Sequence, residues 1–188
     1  MIVPSIDTGI TSGMQVQVIN ADTSDLISLD NVKSFLRVDF SDDDYLINLM
    51  VNTAIDWIEN YCAIALRPKV IIASYNSIGT RIELPYGPNS VINSIVDSAG
   101  NALTYTYFGS AFPQFKIGTF TGAPSIVITY TTGYAIGTVP AGIIQALLKM
   151  VSTDFDNRAN MTVERAVLIE YSNDTKSLLA PYRRNLAW

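Results

Sequence analysis

Apolar positions recur at helical spacing in the first third of the chain, alternate with polar ones in the middle, and return to helical spacing near the end. Ser28 stands before Leu29, Val32, Phe35 and Leu36, which predicts a short helix over about 29–37 with the serine as its cap. Ser41 followed by Asp42, Asp43 and Asp44 reads as a second helix start, since a serine can cap free amides and acids in a first turn suit the positive end of the dipole. This helix should run to about Ala63. Leu46, Leu49, Met50, Trp57 and Tyr61 line one of its faces, and Ile47, Val51, Ala54, Ile55 and Ile58 widen it, so only a narrow polar stripe remains. Burial nearly all round implies an enclosing core or a subunit interface, and the pattern alone does not separate the two.

From Pro68 to Tyr134 the period becomes two, with β-branched and aromatic residues broken by Gly, Pro and Asn. The predicted strands are 70–75, 80–84, 91–96, 103–107, 114–117 and 125–131, which together suggest a small sandwich or open barrel. A third helix follows Pro140, with Ile143, Ile144, Leu147, Leu148, Val151 and Phe155 on its apolar face. A last short helix over 174–179 stops before Pro181. Residues 162–171 take no assignment from their pattern. Residues 1–25 read as an extended arm in which only Met14 to Ile19 alternate like a strand. The pattern is that of an α+β protein.

Composition narrows the function. Histidine is absent and cysteine occurs once, as Cys62, so the usual general base, the usual zinc ligands and any internal disulfide are missing. Cys62 sits in an apolar helical stretch, where a lone cysteine is ordinarily a small buried hydrophobe. Asp42 to Asp44 could suggest a calcium loop, but there is no turn glycine and no closing glutamate, so a helix cap is favoured. Asp154 and Asp156, with Tyr105 and Tyr107, could suggest glycoside chemistry, yet none stands out from a helix end or a strand position. Phosphate-binding glycine loops and CxxC pairs are absent. No enzyme, metal or cofactor is expected.

The net charge of −5 is unevenly placed, with ten acids against Lys33 and Arg37 in residues 1–66. No stretch forms a basic face for phosphates, which argues against tight nucleic-acid binding. No apolar run is long enough for a membrane span, and the N-terminus lacks a basic start and apolar stretch, so a soluble, unprocessed protein is expected. The tail Tyr182-Arg183-Arg184-Asn185-Leu186-Ala187-Trp188 has the aromatic and arginine content of an interface anchor.

Three stretches in order resemble the head-tail connector, or neck adaptor, proteins of tailed double-stranded-DNA bacteriophages and gene transfer agents. The first is Leu29 to Asp39, then Asp42-Asp43-Asp44-Tyr45-Leu46 and the helix through Trp57-Ile58-Glu59-Asn60-Tyr61-Cys62. Where the family has Thr-Gly after the tyrosine, this chain has Cys62-Ala63. The second is Ile82-Glu83-Leu84-Pro85-Tyr86-Gly87-Pro88 with Val91 to Ile95 and Asp97 to Gly100. The third is Val127 to Tyr134, then Val139-Pro140, and finally Leu178-Leu179-Ala180-Pro181-Tyr182-Arg183-Arg184.

The resemblance implies a small helical bundle, of two N-terminal helices and a C-terminal one, with an antiparallel β-rich insertion between the second and third helices. On this chain that gives an arm at 1–25, a bundle of 26–66 and 138–180, an insertion of 67–137 and a tail of 181–188. It further implies a structural virion protein of the neck, made in the cytoplasm of the bacterial host and assembled as a ring of about twelve copies. Such a ring joins the portal to the stopper or tail-completion protein and continues the channel for passing double-stranded DNA, without sequence-specific contact and without a membrane. Portal binding would fall to Pro181, Tyr182, Arg183 and Arg184, to which the tail composition adds Leu186 and Trp188. Ile47, Val51, Ile55, Trp57 and Ile58 become candidates for the subunit interface, and Asp42, Asp43 and Asp44 for acids facing the channel. A carbohydrate-binding β-module with a helical cap, stacking sugars on Tyr105 and Tyr107, is the alternative from another class.

Overall fold

The computed structural model describes residues 14–76, 82–108, 114–117, 125–157 and 171–184. They form two compact units, one of residues 25–63 and 136–184 and one built around residues 64–135 together with the N-terminal strand. The chain is α+β, as the sequence pattern indicates, with four α-helices and antiparallel strands among the described residues.

The first unit is helical. Helix α1 (Leu29–Leu36) begins as expected, the Ser28 Oγ accepting the Asn31 amide at 3.3 Å. Helix α2 (Asp44–Cys62) starts later than Ser41: its first flanking residue is Asp43, whose side chain makes no cap, and the Asp44 amide donates to the Ser41 carbonyl instead. The serine cap read from the sequence is therefore replaced by a backbone turn, and the Asp44 carboxylate takes Lys33 Nζ at 2.7 Å and ties α1 to α2. Helix α3 (Ala141–Asp156) follows Pro140, and α4 (Asn173–Leu179) is capped by Ser172 and bridged to α3 through Lys149 and Asp174. Ile47, Ala54, Ile55, Ile58 and Cys62 of α2 are buried, as are Ile143, Leu147, Met150 and Val151 of α3 and Leu179 of α4. Full burial of one such aliphatic side chain contributes about 1.5–3 kcal/mol, so this stripe supplies most of the unit's cohesion.

The second unit is β. A four-stranded antiparallel sheet has the order β1-β2-β7-β4, from β1 (Met14–Ala21), β2 (Lys69–Tyr75), β7 (Ile126–Thr132) and β4 (Val91–Asp97). A second sheet has the order β3-β6-β5, from β3 (Ile82–Glu83), β6 (Gln114–Ile117) and β5 (Tyr105–Phe108). Burial along β7 alternates, with Ile126, Ile128, Tyr130 and Thr132 inward, as a strand with one face on a core must. Ile71, Ala73, Ile82, Leu84 and Ile95 complete that core. The strand-like alternation at Met14 to Ile19 is an edge strand that extends to Ala21, because Val16 and Val18 pack on the core and the backbone pairs with β2 from Met14↔Tyr75 to Ala21↔Lys69.

The loop before β4 is fixed to the end of β7. The Tyr130 hydroxyl donates to the Pro85 carbonyl at 2.8 Å. The Thr132 hydroxyl lies 2.8 Å from the Tyr86 carbonyl oxygen and 2.9 Å from that of Pro88, and its single proton serves these two acceptors. That leaves Ser90, 2.9 Å away, as the donor to Thr132. The Gly133 amide adds a bond to the Pro88 carbonyl at 3.0 Å. Gly133 has φ +116, and a Cβ there would stand 2.3 Å from the Arg67 carbonyl oxygen, so only glycine fits.

Candidate interaction surface

In the helical unit the C-terminal half of α2 carries an aromatic ladder. Trp57 and Tyr61, four residues apart on one face, stack with ring centroids 4.7 Å apart and planes inclined by 14°. Tyr171 meets Trp57 edge-on at 5.1 Å. Its hydroxyl donates to Asp154 Oδ2 of α3 at 3.0 Å. Burial, and then the neighbouring carboxylate, push the Tyr171 phenol up to about 12. Burial also raises Asp154 above the usual carboxylate range, against the bond from Tyr171, which lowers it.

The C-terminal segment is laid on the free end of this ladder. The Arg183 guanidinium lies 4.9 Å from the centre of the Tyr61 ring, a cation–π contact. The Arg184 amide donates to the Cys62 carbonyl at 3.0 Å, satisfying one of the acceptors a helix leaves open at its C-terminus. Cys62 is fully buried with its thiol 3.9 Å from the Leu179 carbonyl, and burial pushes that thiol up to about 11 against the opposing charge of Arg183. The Tyr182 hydroxyl packs over Gly142 at the start of α3, where even a Cβ would come within 3.2 Å of it. Pro181 and Arg183 remain exposed. The structure thus brings Tyr182, Arg183 and Arg184 onto the helices of their own chain, while Leu186 and Trp188 lie outside the described residues.

The other candidate residues divide. Ile47, Val51, Ile55 and Ile58 are in the interior of the chain's own core, at 0–9% exposure, and are unavailable as surface for another folded copy. Helical spacing marks a buried face without saying what buries it, and here α3 does so for much of α2. Trp57 is half-buried in the ladder. Asp42 is exposed, Asp43 is half-buried at the helix start, and Asp44 is engaged by Lys33, so of the three only Asp42 offers a fully accessible carboxylate. Among the described residues of this unit, exposed large apolar side chains are Phe35, Phe40, Tyr45, Leu49 and Ile136, with Tyr45 82% exposed. On the sheet unit Tyr105 is exposed, while the side chain of Tyr107 lies outside the described ones.

Among the described residues no group of three or more His, Cys, Asp or Glu side chains is placed to hold a metal, and no helix is long and apolar enough to cross a membrane. Sequence reading missed Tyr171, whose stretch took no assignment. It also missed the Asp154 partnership, for which the only signal was a polar residue inside the third helix.

A family model described as phage gp6-like head-tail connector protein matches residues 26–104, so the resemblance drawn from the sequence is shown over that stretch. Among solved structures, a chain from "Neck of empty GTA particle computed with C6 symmetry" shares the fold with a TM-score of 0.71 at 16% identity, over 92% of this chain and 98% of the other. A chain from "Virion of native gene transfer agent (GTA) particle" gives 0.70 at 18% identity, over 92% and 98%. One from "Neck of native GTA particle computed with C12 symmetry" gives 0.58 at 17% identity, over 90% and 99%. No curated protein matches the chain.

Proposed function

We propose that this chain, which matches the head-tail connector family over residues 26–104 and shares its fold with proteins of gene transfer agent necks along nearly its whole length, is a structural neck protein of a phage-like particle. It acts as an adaptor, in a ring whose symmetry follows the six- or twelve-fold symmetry applied to those necks. The ring joins the portal to a stopper or tail-completion protein and lets DNA pass. The role is mechanical, with no catalytic step.

The C-terminal segment is the portal anchor in this reading, and the way it is held supports that. Its ties to the described helices include one backbone hydrogen bond, one cation–π contact and the packing of Tyr182 over Gly142, and they leave Pro181 and Arg183 exposed to a partner. The acids of the N-terminal third would keep passing DNA from adhering, with Asp42 the most accessible of the three named.

Co-sedimentation with a purified cognate portal ring, comparing the full chain with one ending at Ala180, tests both parts. Binding in a fixed ratio that is lost on truncation is the expected result. Binding that survives truncation would move the anchor elsewhere on the chain, and no binding by either form would overturn the adaptor role.

A further inference from the structure

The four-stranded sheet ends in two edges of different construction, and they match each other. At one edge β1 runs for eight residues, MQVQVINA, with no charge and no proline, and among the described residues nothing pairs with its outer side. Sheet edges left to solvent are ordinarily guarded by lysine, proline, a bulge or a covering segment; among the described residues β1 has no lysine, proline or covering segment, and its guard is the bulge between Val18 and Asn20. At the opposite edge β4 is covered over its second half only. The Leu103 amide donates to the Ile95 carbonyl at 2.9 Å, the Asp97 amide to the Asn101 carbonyl at 3.0 Å, and Val96 bridges Ala102. The first half, Val91-Ile92-Asn93-Ser94, carries no charge, and among the described residues nothing pairs with its outer side.

The register places these two open stretches in the same rows. Val91 pairs with Thr131, Ile92 with Tyr130 and Ser94 with Thr129. Those β7 residues pair with Val70, Ile71 and Ile72 of β2, which pair in turn with Asn20, Val18 and Gln17 of β1. Ile19, the extra residue of a bulge between Val18 and Asn20, therefore lies in line with Val91 and Ile92 across the sheet. Ile19 and Val91 are also exposed large aliphatic residues, at 54% and 63%, one at each edge. Strand direction fits as well. All pairs in the sheet are antiparallel, so β1 and β7 run one way and β2 and β4 the other. A β1 strand placed beside β4 with the sheet sense preserved is again antiparallel.

We infer that the β1 edge of one copy pairs with the Val91–Ser94 half of β4 in the next copy, with Ile19 against Val91, so that the sheet continues from subunit to subunit. The occupant is a second copy of this chain because the two stretches match: among the described residues each is an open uncharged backbone row, each carries an exposed aliphatic residue and a bulge in the same rows, at Val18/Asn20 and at Ile92/Ser94, and the two strands run in opposite directions. The contact joins two different surfaces, so it propagates around a ring instead of stopping at a dimer. This rests on the ring assembly proposed above and adds the surface that closes it.

The test replaces both residues in one chain, Ile19→Cys with Val91→Cys, and treats assembled rings on the portal with a short thiol crosslinker before denaturing electrophoresis without reductant. The native Cys62 is fully buried and serves as the silent background. A ladder of covalent multimers from the double variant, with each single variant staying monomeric, is expected. In the charge form of the test, Ile19→Lys with Val91→Lys is expected to lose rings that Ile19→Lys with Val91→Glu regains. Rings that form normally yet yield no ladder overturn the edge pairing and leave the neck function standing. Covalent dimers from Ile19→Cys alone would show β1 pairing with itself and overturn it too, and absence of any ring, with or without portal, overturns both proposals.

Discussion

The two units hold their most family-like stretches together in different ways. In the sheet unit the Pro85–Pro88 loop meets the end of β7 through buried hydroxyls, backbone carbonyls and a glycine amide, at Tyr130, Thr132 and Gly133. In the helical unit the end of α2 meets the C-terminal segment through a ring face, an exposed guanidinium, one amide and the buried Cys62 thiol beside the Leu179 carbonyl. Buried polar groups must stay paired once they are out of water, so the first junction is fixed. The second is partly solvated, with Pro181 and Arg183 exposed. The difference is between a junction closed to water and one that water reaches.

The comparison breaks most sharply at Gly133. Gly133→Ala would drive a Cβ into the Arg67 carbonyl at a positive φ, and a loss of about 4 kcal/mol or more in urea unfolding is expected. Ile58→Ala in the helical core should cost about 3 kcal/mol by cavity formation, read by the same unfolding with Trp57 fluorescence as probe. Ala63 sharpens the contrast from the other side. It follows α2 with φ 53, the left-handed conformation that suits glycine, at the position where the family has glycine. Ala63→Gly is therefore expected to stabilise by about 1 kcal/mol in thermal or urea denaturation.

The smallest effect is the dependence on alkaline pH. Tyr171 is raised from its ordinary 10.0 to about 12, so the folded state holds the phenolic proton more tightly than the unfolded state does. Its contribution is complete below pH 10 and is lost as pH rises toward 12. Cys62 acts in the same direction between 9.0 and about 11. Tyr171→Phe should flatten the fall in stability measured from pH 9.5 upward, and a curve unchanged by the substitution would count against the buried Tyr171–Asp154 contact.

Local signals were legible where local physics decides. The Ser28 cap, the alternation of β7 and the helix after Pro140 follow from a few adjacent residues and appear as expected. Ser41 takes the Asp44 amide on its backbone carbonyl instead of capping with its side chain, and Asp44 pairs with Lys33, a partner eleven positions earlier in the chain and out of reach of a local reading. Residues 14–21 read as part of an arm because one uncharged strand shows little until β2 is beside it. The apolar face of α2 was visible, but whether α3 or another copy covers it depends on contacts far along the sequence. Tyr171 was invisible for the same reason, since its role exists only where α2 and α3 converge on it. The aromatic and arginine content of the tail was legible in the sequence, whereas the seat of Tyr182 and Arg183 on Gly142 and Tyr61 was not.

The most direct test of the neck assignment is to remove the chain from the particle that carries it and image the products by electron microscopy. DNA-filled heads with a portal and no tail, restored to tailed particles when the full-length chain is added back, are the predicted result. Tailed particles forming at the normal frequency without the chain would contradict the account.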